Sequence, residues 1–290
     1  YFTHPGDTRD RLNAEYSFID CAIRAGIGSV PRAISFNRER SLAVYAYIEG
    51  RKISPGELNG SHVEQAAQFL EALNTPDARA LAADLPRASE SAFSLTEHFD
   101  ILQRRIDRLK TISPESATDN AALRFAHALT GAWEGLRTRL AEEAAAAGED
   151  PDEPLAPAAR IISPSDFGFH NALLRPSGEV CFIDFEYAGW DDPAKTVGDF
   201  FSQPAVPVPM TYFERIAQAA SAFATDPERI IARARRLLPL FQLKWCCIML
   251  NHFLPVSRER RRFANPALDD DEAKQLQLQM AQTFYSTIEI

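Results

Sequence analysis

Apolar residues at helical spacing open the chain: Leu12, Phe18, Ile19 and Ile23 share one face of a segment covering residues 7–25, and Gly26 follows as a helix C-cap. Two short runs rich in β-branched and aromatic residues, 32–36 and 42–47, flank the polar turn 37–41 and predict a hairpin. Glu49-Gly50-Arg51 breaks that pattern. Ser61 and Glu64 then form a capping box, which predicts a helix reaching about Leu73. Leu95, Phe99, Leu102, Ile106 and Leu109 recur at spacings of four and three, and Leu129, Trp133, Leu136 and Leu140 repeat the device beyond Ser113-Pro114. These predict two long amphipathic helices. The acidic, proline-rich run GEDPDEPLAP can continue neither and reads as a surface connection.

The densest region follows. Arg160-Ile161-Ile162, the loop SPSDFGFHN, the segment ALLRP, the turn Ser177-Gly178 and the apolar EVCFIDF predict strand, loop, strand, turn, strand. Asp192-Pro193 and Asp226-Pro227 each place a cap before a proline at a first helical position, so the remainder is expected to be helical. The order is a small mixed N-terminal part, a helical middle, a compact β insert and a helical C-terminal part, an α+β arrangement.

Composition narrows the function classes. With 290 residues, 46% apolar and 24% charged, the chain can bury a substantial core, which argues against disorder. A net charge of −9 predicts no broad binding to nucleic acid or anionic membranes. The run 237–254 is interrupted by Gln242, Lys244, Asn251 and His252 and is too polar to span a bilayer. The N-terminal residues contain no signal-peptide apolar core. Cys21, Cys181, Cys246 and Cys247 have no metal or redox spacing and read as buried free thiols in a reducing, cytoplasmic setting.

Phosphate-loop, nucleophile-elbow and HExxH motifs are absent, and the six histidines form no zinc spacing. Gly26-Ile27-Gly28 is followed by Pro31 and reads as a helix end. Asn59-Gly60-Ser61 reads as a turn and an N-cap. One constellation remains: Asp166 and Asn171 in the loop between two strands, and Asp184 at the end of the next strand. Gly168 gives the loop freedom to aim two side chains at one cavity. A carboxylate at Asp184, beside a buried-type strand, needs a cation or several donors, and magnesium suits such oxygen ligands together with substrate phosphates.

SDFGFHNALL followed by FIDFEYAGWDDP resembles the HGDxxxxN and DFE elements of the aminoglycoside phosphotransferase and choline kinase family, small-molecule relatives of the protein kinases. The resemblance implies a protein-kinase-like two-lobe fold: residues 1–50 as a partial N-terminal lobe and hinge, and 51–290 as a helical C-terminal lobe carrying the β insert at about 160–190. It implies ATP- and Mg2+-dependent phosphorylation of a hydroxyl on a small molecule such as an aminoglycoside, a sugar, choline or an amino alcohol. Asp166 would act on that hydroxyl, while Asn171 and Asp184 hold the metal. The segment Tyr45-Ala46-Tyr47-Ile48-Glu49-Gly50 resembles the linker whose backbone meets adenine, and Glu15 sits where the family's helix glutamate pairs with a phosphate-binding lysine. The strands bearing that lysine should precede Tyr1, which leaves the N-terminal lobe truncated, predicts weak ATP affinity, and leaves Glu15 solvated or paired with Arg11. A catalytically weak kinase-like scaffold is the alternative.

The chain departs from the family pattern in two places: Pro164-Ser165 replaces His-Gly before the loop aspartate, and Thr196 stands where many relatives carry an aspartate, with Asp199 three residues later. The aspartate's structural partner is then lost or relocated. Glu186 is either a second metal-adjacent carboxylate or a solvated one. His170 reads as a satisfied loop histidine, and Trp190, Asp191 and Asp192 as residues that shape and cap the next helix. Lys244, Trp245 and Asn251 are candidates for the acceptor cleft, and Arg258, Arg260, Arg261 and Arg262 either receive an anionic acceptor or form a solvated face.

Overall fold

A computed structural model describes residues 10–254 and 270–290. The chain forms two compact units, one comprising Tyr1–Phe93 with Leu155–Arg235, the other Ser94–Pro154 with Arg236–Ile290. The first unit begins with α1 (Arg11–Arg24), started by Asp10, whose side chain accepts the Asn13 N–H. It ends as the sequence predicts. Gly26, at φ +80°, donates to the Ile23 carbonyl and Ile27 to that of Ala22, both at 2.9 Å, a Schellman closure that only a left-handed residue permits without strain.

The expected hairpin is present as β1 (Ala33–Asn37) and β2 (Leu42–Tyr45), antiparallel and irregular between Ala33 and Ser35. Residues 46–50 then run without regular structure to β3 (Arg51–Lys52). The next helix, α2 (Gly60–Leu73), is capped by Asn59, whose side-chain oxygen accepts from the Ser61 and His62 N–H groups, and not by a Ser61–Glu64 box. Asn59 wins because it lies one residue before the helix, and Glu64 is taken by Arg215 at 2.8 Å. A short α3 (Pro76–Leu81) follows.

The β insert follows the expected order of strand, loop, strand, turn and strand, and a further strand is added after it. Residues Ile161–Ser163 (β4) pair with β7 (Gly189–Asp191), while β5 (Ala172–Leu174) and β6 (Val180–Phe182) join β3 in a sheet ordered β3-β5-β6. The intervening loop turns the chain away at Ser165, so β4 cannot continue beside β5. The β7 strand is three residues long, begins with glycine and is followed by cap residues, so its sequence carries turn signals rather than alternation. Beyond it, α6 (Pro193–Ser202) is buried throughout and capped by Asp192, which accepts the Ala194 N–H at 2.7 Å. Helix α7 (Phe213–Ser221) and the first part of α8 (Pro227–Met249) complete the unit.

Aromatic packing sets its interior. Phe69 stacks on Phe182 at 4.7 Å, Phe167 on Phe200 at 5.0 Å and Phe18 on Phe185 at 4.7 Å. Each such ring contributes roughly 1.5–3 kcal/mol by leaving water.

In the second unit the two predicted amphipathic helices are α4 (Leu95–Leu109) and α5 (Ala117–Ala146), capped by Ser94 and Ser116. Trp133 is buried, packs edge-on against Phe99 at 5.3 Å and donates its indole N–H to Gln103 at 2.8 Å. The last helix, α9 (Asp270–Tyr285), is fastened to α5 by a buried ion pair between Lys274 and Asp119, 2.8 Å. Among the described residues no helix is long and apolar enough to cross a membrane.

Candidate active site

Two Asp-Phe pairs build the site, and in both the phenylalanine is the anchor. Phe167 and Phe185 are buried, so each fixes the backbone of the aspartate before it, Asp166 or Asp184. Asn171 donates through Nδ2 to the Asp166 carbonyl at 3.1 Å and to its Oδ2 at 3.2 Å, and His170 Nε2 lies 3.1 Å from Oδ1. The Ile183 N–H donates to the Asn171 carbonyl at 2.9 Å and ties the loop to the segment carrying Asp184. The three residues singled out by sequence are thus brought into one region of the first unit. Asp184 has φ +66°, a left-handed conformation uncommon outside glycine.

The charges there do not balance. Burial raises the Asp184 pKa from its ordinary value, and the carboxylates of Glu186 and Asp166 add to it, against His170 and Lys52. Asp184 reaches solvent although protein surrounds much of it, as expected for a side chain on a concave surface. Among the described residues its carboxylate accepts no hydrogen bond, and with Asn171 Nδ2 turned to Asp166, Asn171 Oδ1 is left as an acceptor. A carboxylate short of positive charge and a free amide oxygen fit a hard cation. No group of three histidine, cysteine or acidic side chains among the described residues is arranged to hold a metal alone. Magnesium takes one or two protein ligands and completes its shell with phosphate and water, so an amide oxygen and one carboxylate are a donor pair that fits it.

Glu15 is buried, not solvated, and it does not take Arg11. It accepts from the Tyr45 hydroxyl at 3.4 Å and from the Phe185 N–H, while Arg11 Nη1 pairs with Glu186 at 2.8 Å. The segment around Asp184 reaches α1 and captures both groups. Burial, with the Asp184 charge added, pushes Glu15 up to about 7. Burial and Glu15 likewise raise the Tyr45 phenol. Ala46 donates its N–H to the Arg32 carbonyl at 2.8 Å, and Tyr47 is 90% exposed.

Sequence reading missed Lys52, whose Nζ donates to the His170 carbonyl at 2.5 Å and whose charge reaches Asp184. It missed Lys195 as well. This buried lysine meets Ser165, Asp191 and Asp199, and Thr196 donates to Ser163 Oγ at 2.9 Å, so the positions that depart from the family pattern are occupied by a different buried network. A lysine flanked by Asp191 and Asp199 at i−4 and i+4 was the available signal. Trp190 donates its indole N–H to the Ala82 carbonyl at 3.0 Å, a structural use. Lys244 is buried beside the Phe241 ring in the second unit, and Arg258, Arg260, Arg261 and Arg262 lie outside the described residues.

Small antiparallel sheets and a helical remainder carry the paired Asp–Asn and Asp-Phe loops. The chain matches the phosphotransferase enzyme family over residues 2–232, and it belongs to that family of small-molecule kinases. Among solved structures it is similar to a choline/ethanolamine kinase family protein from Mesorhizobium loti, 17% identical, covering 98% of this chain and 81% of that one at a TM-score of 0.56. It is also similar to spectinomycin phosphotransferase in complex with ADP and spectinomycin (12% identical, 95% and 82% covered, TM-score 0.58). A choline kinase from Streptococcus pneumoniae is a third (16%, 99% and 84%, 0.52). No curated protein matches significantly.

Proposed function

We propose that the chain transfers the γ-phosphoryl group of ATP, with Mg2+, to a hydroxyl of a small molecule, and that the chemistry is carried by Asp166. The observation that supports this is the pairing of Asp166 with Asn171 beside an Asp184 carboxylate that takes no hydrogen bond of its own. Asp166 orients the acceptor hydroxyl and accepts its proton, with His170 fixing one carboxylate oxygen and Asn171 the other. Asn171 Oδ1 and Asp184 would hold the metal, which when bound neutralises phosphate charge. Positioning and charge neutralisation supply most of the rate in such a reaction. Adenine would meet the Tyr45–Tyr47 backbone; since the Ala46 N–H is taken by Arg32, its edge falls to the neighbouring residues. Glu15 serves the same cleft by holding Tyr45 and the backbone beside Asp184.

Neighbours described as choline/ethanolamine and choline kinases and as a spectinomycin phosphotransferase support an acceptor of this kind. A cationic hydroxyl compound also suits the acidic surroundings of Asp184. The four cysteines are free and buried, which fits a reducing cytoplasm. The test is ATP consumption with Mg2+ over a panel of choline, ethanolamine, spectinomycin and sugars, comparing the wild type with Asp166→Asn. Acceptor-dependent turnover that falls by about 10² or more in the variant supports the reading. Turnover unchanged by the substitution overturns the role of Asp166; absence of turnover with every acceptor favours a kinase-like scaffold.

A further inference from the structure

The residue before the loop aspartate is held in a conformation that serine rarely adopts. Ser165 has φ +67°, and the Asp166 N–H donates across it to the Pro164 carbonyl at 2.9 Å, a γ-turn of the rare, strained hand. Such a residue is strained and persists only where its surroundings over-determine it. Here three contacts do so. The Ser165 N–H donates to Ser163 Oγ at 3.0 Å, its hydroxyl donates to the Ser89 carbonyl at 3.2 Å, and Lys195 Nζ donates to Ser165 Oγ at 3.0 Å.

Lys195 is buried in the first turn of α6, and its ammonium also donates to Asp191 Oδ2 at 2.7 Å and is ion-paired with Asp199 Oδ2 at 3.3 Å. Two directed hydrogen bonds and the nearby Asp199 charge hold Nζ in place. Burial opposes the charge, but Asp191 and Asp199 outweigh it and keep the lysine protonated. The neighbouring Thr196 grips Ser163 in the same way, so consecutive residues of one buried helix hold the end of β4 and the first part of the loop. A buried ion cluster is weak evidence for stability, because apolar residues of similar volume often serve as well. What apolar residues could not supply is the hydrogen bond to Ser165.

We propose that Lys195 is a positioning residue for phosphoryl transfer: from the rigid Asp191–Lys195–Asp199 cluster it holds Ser165 left-handed and so sets the direction in which Asp166 leaves the loop. Glycine would occupy that conformation without help, whereas serine needs a pin. The proposal rests on the catalytic reading of Asp166 given above.

Two readouts separate the proposal from that reading. Hydrogen exchange at the Asp166 amide reports the γ-turn directly and requires no substrate; ATP consumption in the presence of Mg2+ and an accepted hydroxyl compound reports turnover. Ser165→Ala keeps the Lys195 ion pairs, so it should fold normally, exchange the Asp166 amide at least fivefold faster, and lower kcat about tenfold with nucleotide KM within twofold. Ser165→Gly should recover at least half of that loss, because its backbone accepts φ +67° unpinned. Lys195→Met should resemble Ser165→Ala, and the double variant should be no worse than the poorer single one. If Lys195→Met fails to fold, the Ser165 pair still decides. Wild-type exchange and kcat in Ser165→Ala, or equal losses in Ser165→Ala and Ser165→Gly, would overturn the proposal. A wild-type protein without turnover refutes the catalytic reading, while the exchange measurement still tests the pin.

Discussion

Arg11 Nη1 lies 2.8 Å from Glu186 Oε1, so the first turn of α1 is fastened to the segment just beyond Asp184. Both side chains are mostly covered, at 23% and 17% exposure, and Arg11 also lies over the Tyr187 ring at 5.3 Å. An ion pair in this setting contributes about 1 kcal/mol, toward the upper end for partly exposed pairs. A double-mutant cycle with Arg11→Ala and Glu186→Ala, measured by urea denaturation, should return a coupling of that size. Additive single effects would show that the pair contributes nothing beyond its separate parts.

Asp184→Asn should separate stability from metal binding. Asparagine tolerates the left-handed backbone at this position, and the substitution removes a charge that Glu186 and Asp166 repel. The metal-free protein should therefore melt no lower than the wild type. Magnesium-dependent nucleotide affinity, measured by calorimetry, should fall at least tenfold, or about 1.4 kcal/mol. Unchanged magnesium dependence would remove Asp184 from the metal site.

Local patterns made much of this molecule readable, and long-range capture accounts for the rest. Gly26, Asp192-Pro193 and the leucine repeats of α4 and α5 carry their own stop, start and face signals, and each element lies where those signals place it. The loop holding Asp166 and Asn171 was legible because Asn171 lies five residues after Asp166 and Gly168 frees the backbone between them. Partners distant in sequence were not. Glu15 meets Phe185, Arg11 meets Glu186 and Lys195 meets Ser165 across separations that no helical or strand period encodes. The pairing of β4 with β7 was hidden for the same reason, since three residues contain too little alternation to declare a strand.

Gly189 is a position where that hidden pairing can be tested. A Cβ there would collide with the Pro86 carbonyl oxygen and lie 2.8 Å from the Ala88 nitrogen. Both are backbone atoms engaged with the next residue: Trp190 donates to Pro86 and Ala88 donates to Trp190, each at 2.9 Å. Neither can yield without breaking a hydrogen bond. Gly189→Ala should therefore destabilise the protein by about 1–3 kcal/mol or more, read as a lowered midpoint in urea. A midpoint within error of the wild type would mean that β7 does not lie against residues 86–88.

Glu15 supplies a prediction in pH. Its carboxyl is raised from an ordinary 4.5 to about 7 by burial and by the Asp184 charge, so the folded chain holds a proton there that the unfolded chain releases at lower pH. Stability then falls as pH rises from about 4.5 toward 7, and above that the ionised carboxylate costs at most about 3 kcal/mol. The Tyr45 hydroxyl and the Phe185 N–H, already counted in that shift, are partners glutamine could keep. Glu15→Gln should thus match or fall slightly below the wild type at pH 5, where the carboxyl is neutral, and exceed it by up to about 3 kcal/mol at pH 8. Urea denaturation of both proteins, free of metal and nucleotide, at the two pH values isolates the effect, since every other titrating group is shared. A difference between the proteins that does not grow with pH would show that Glu15 ionises in the folded state as freely as in water.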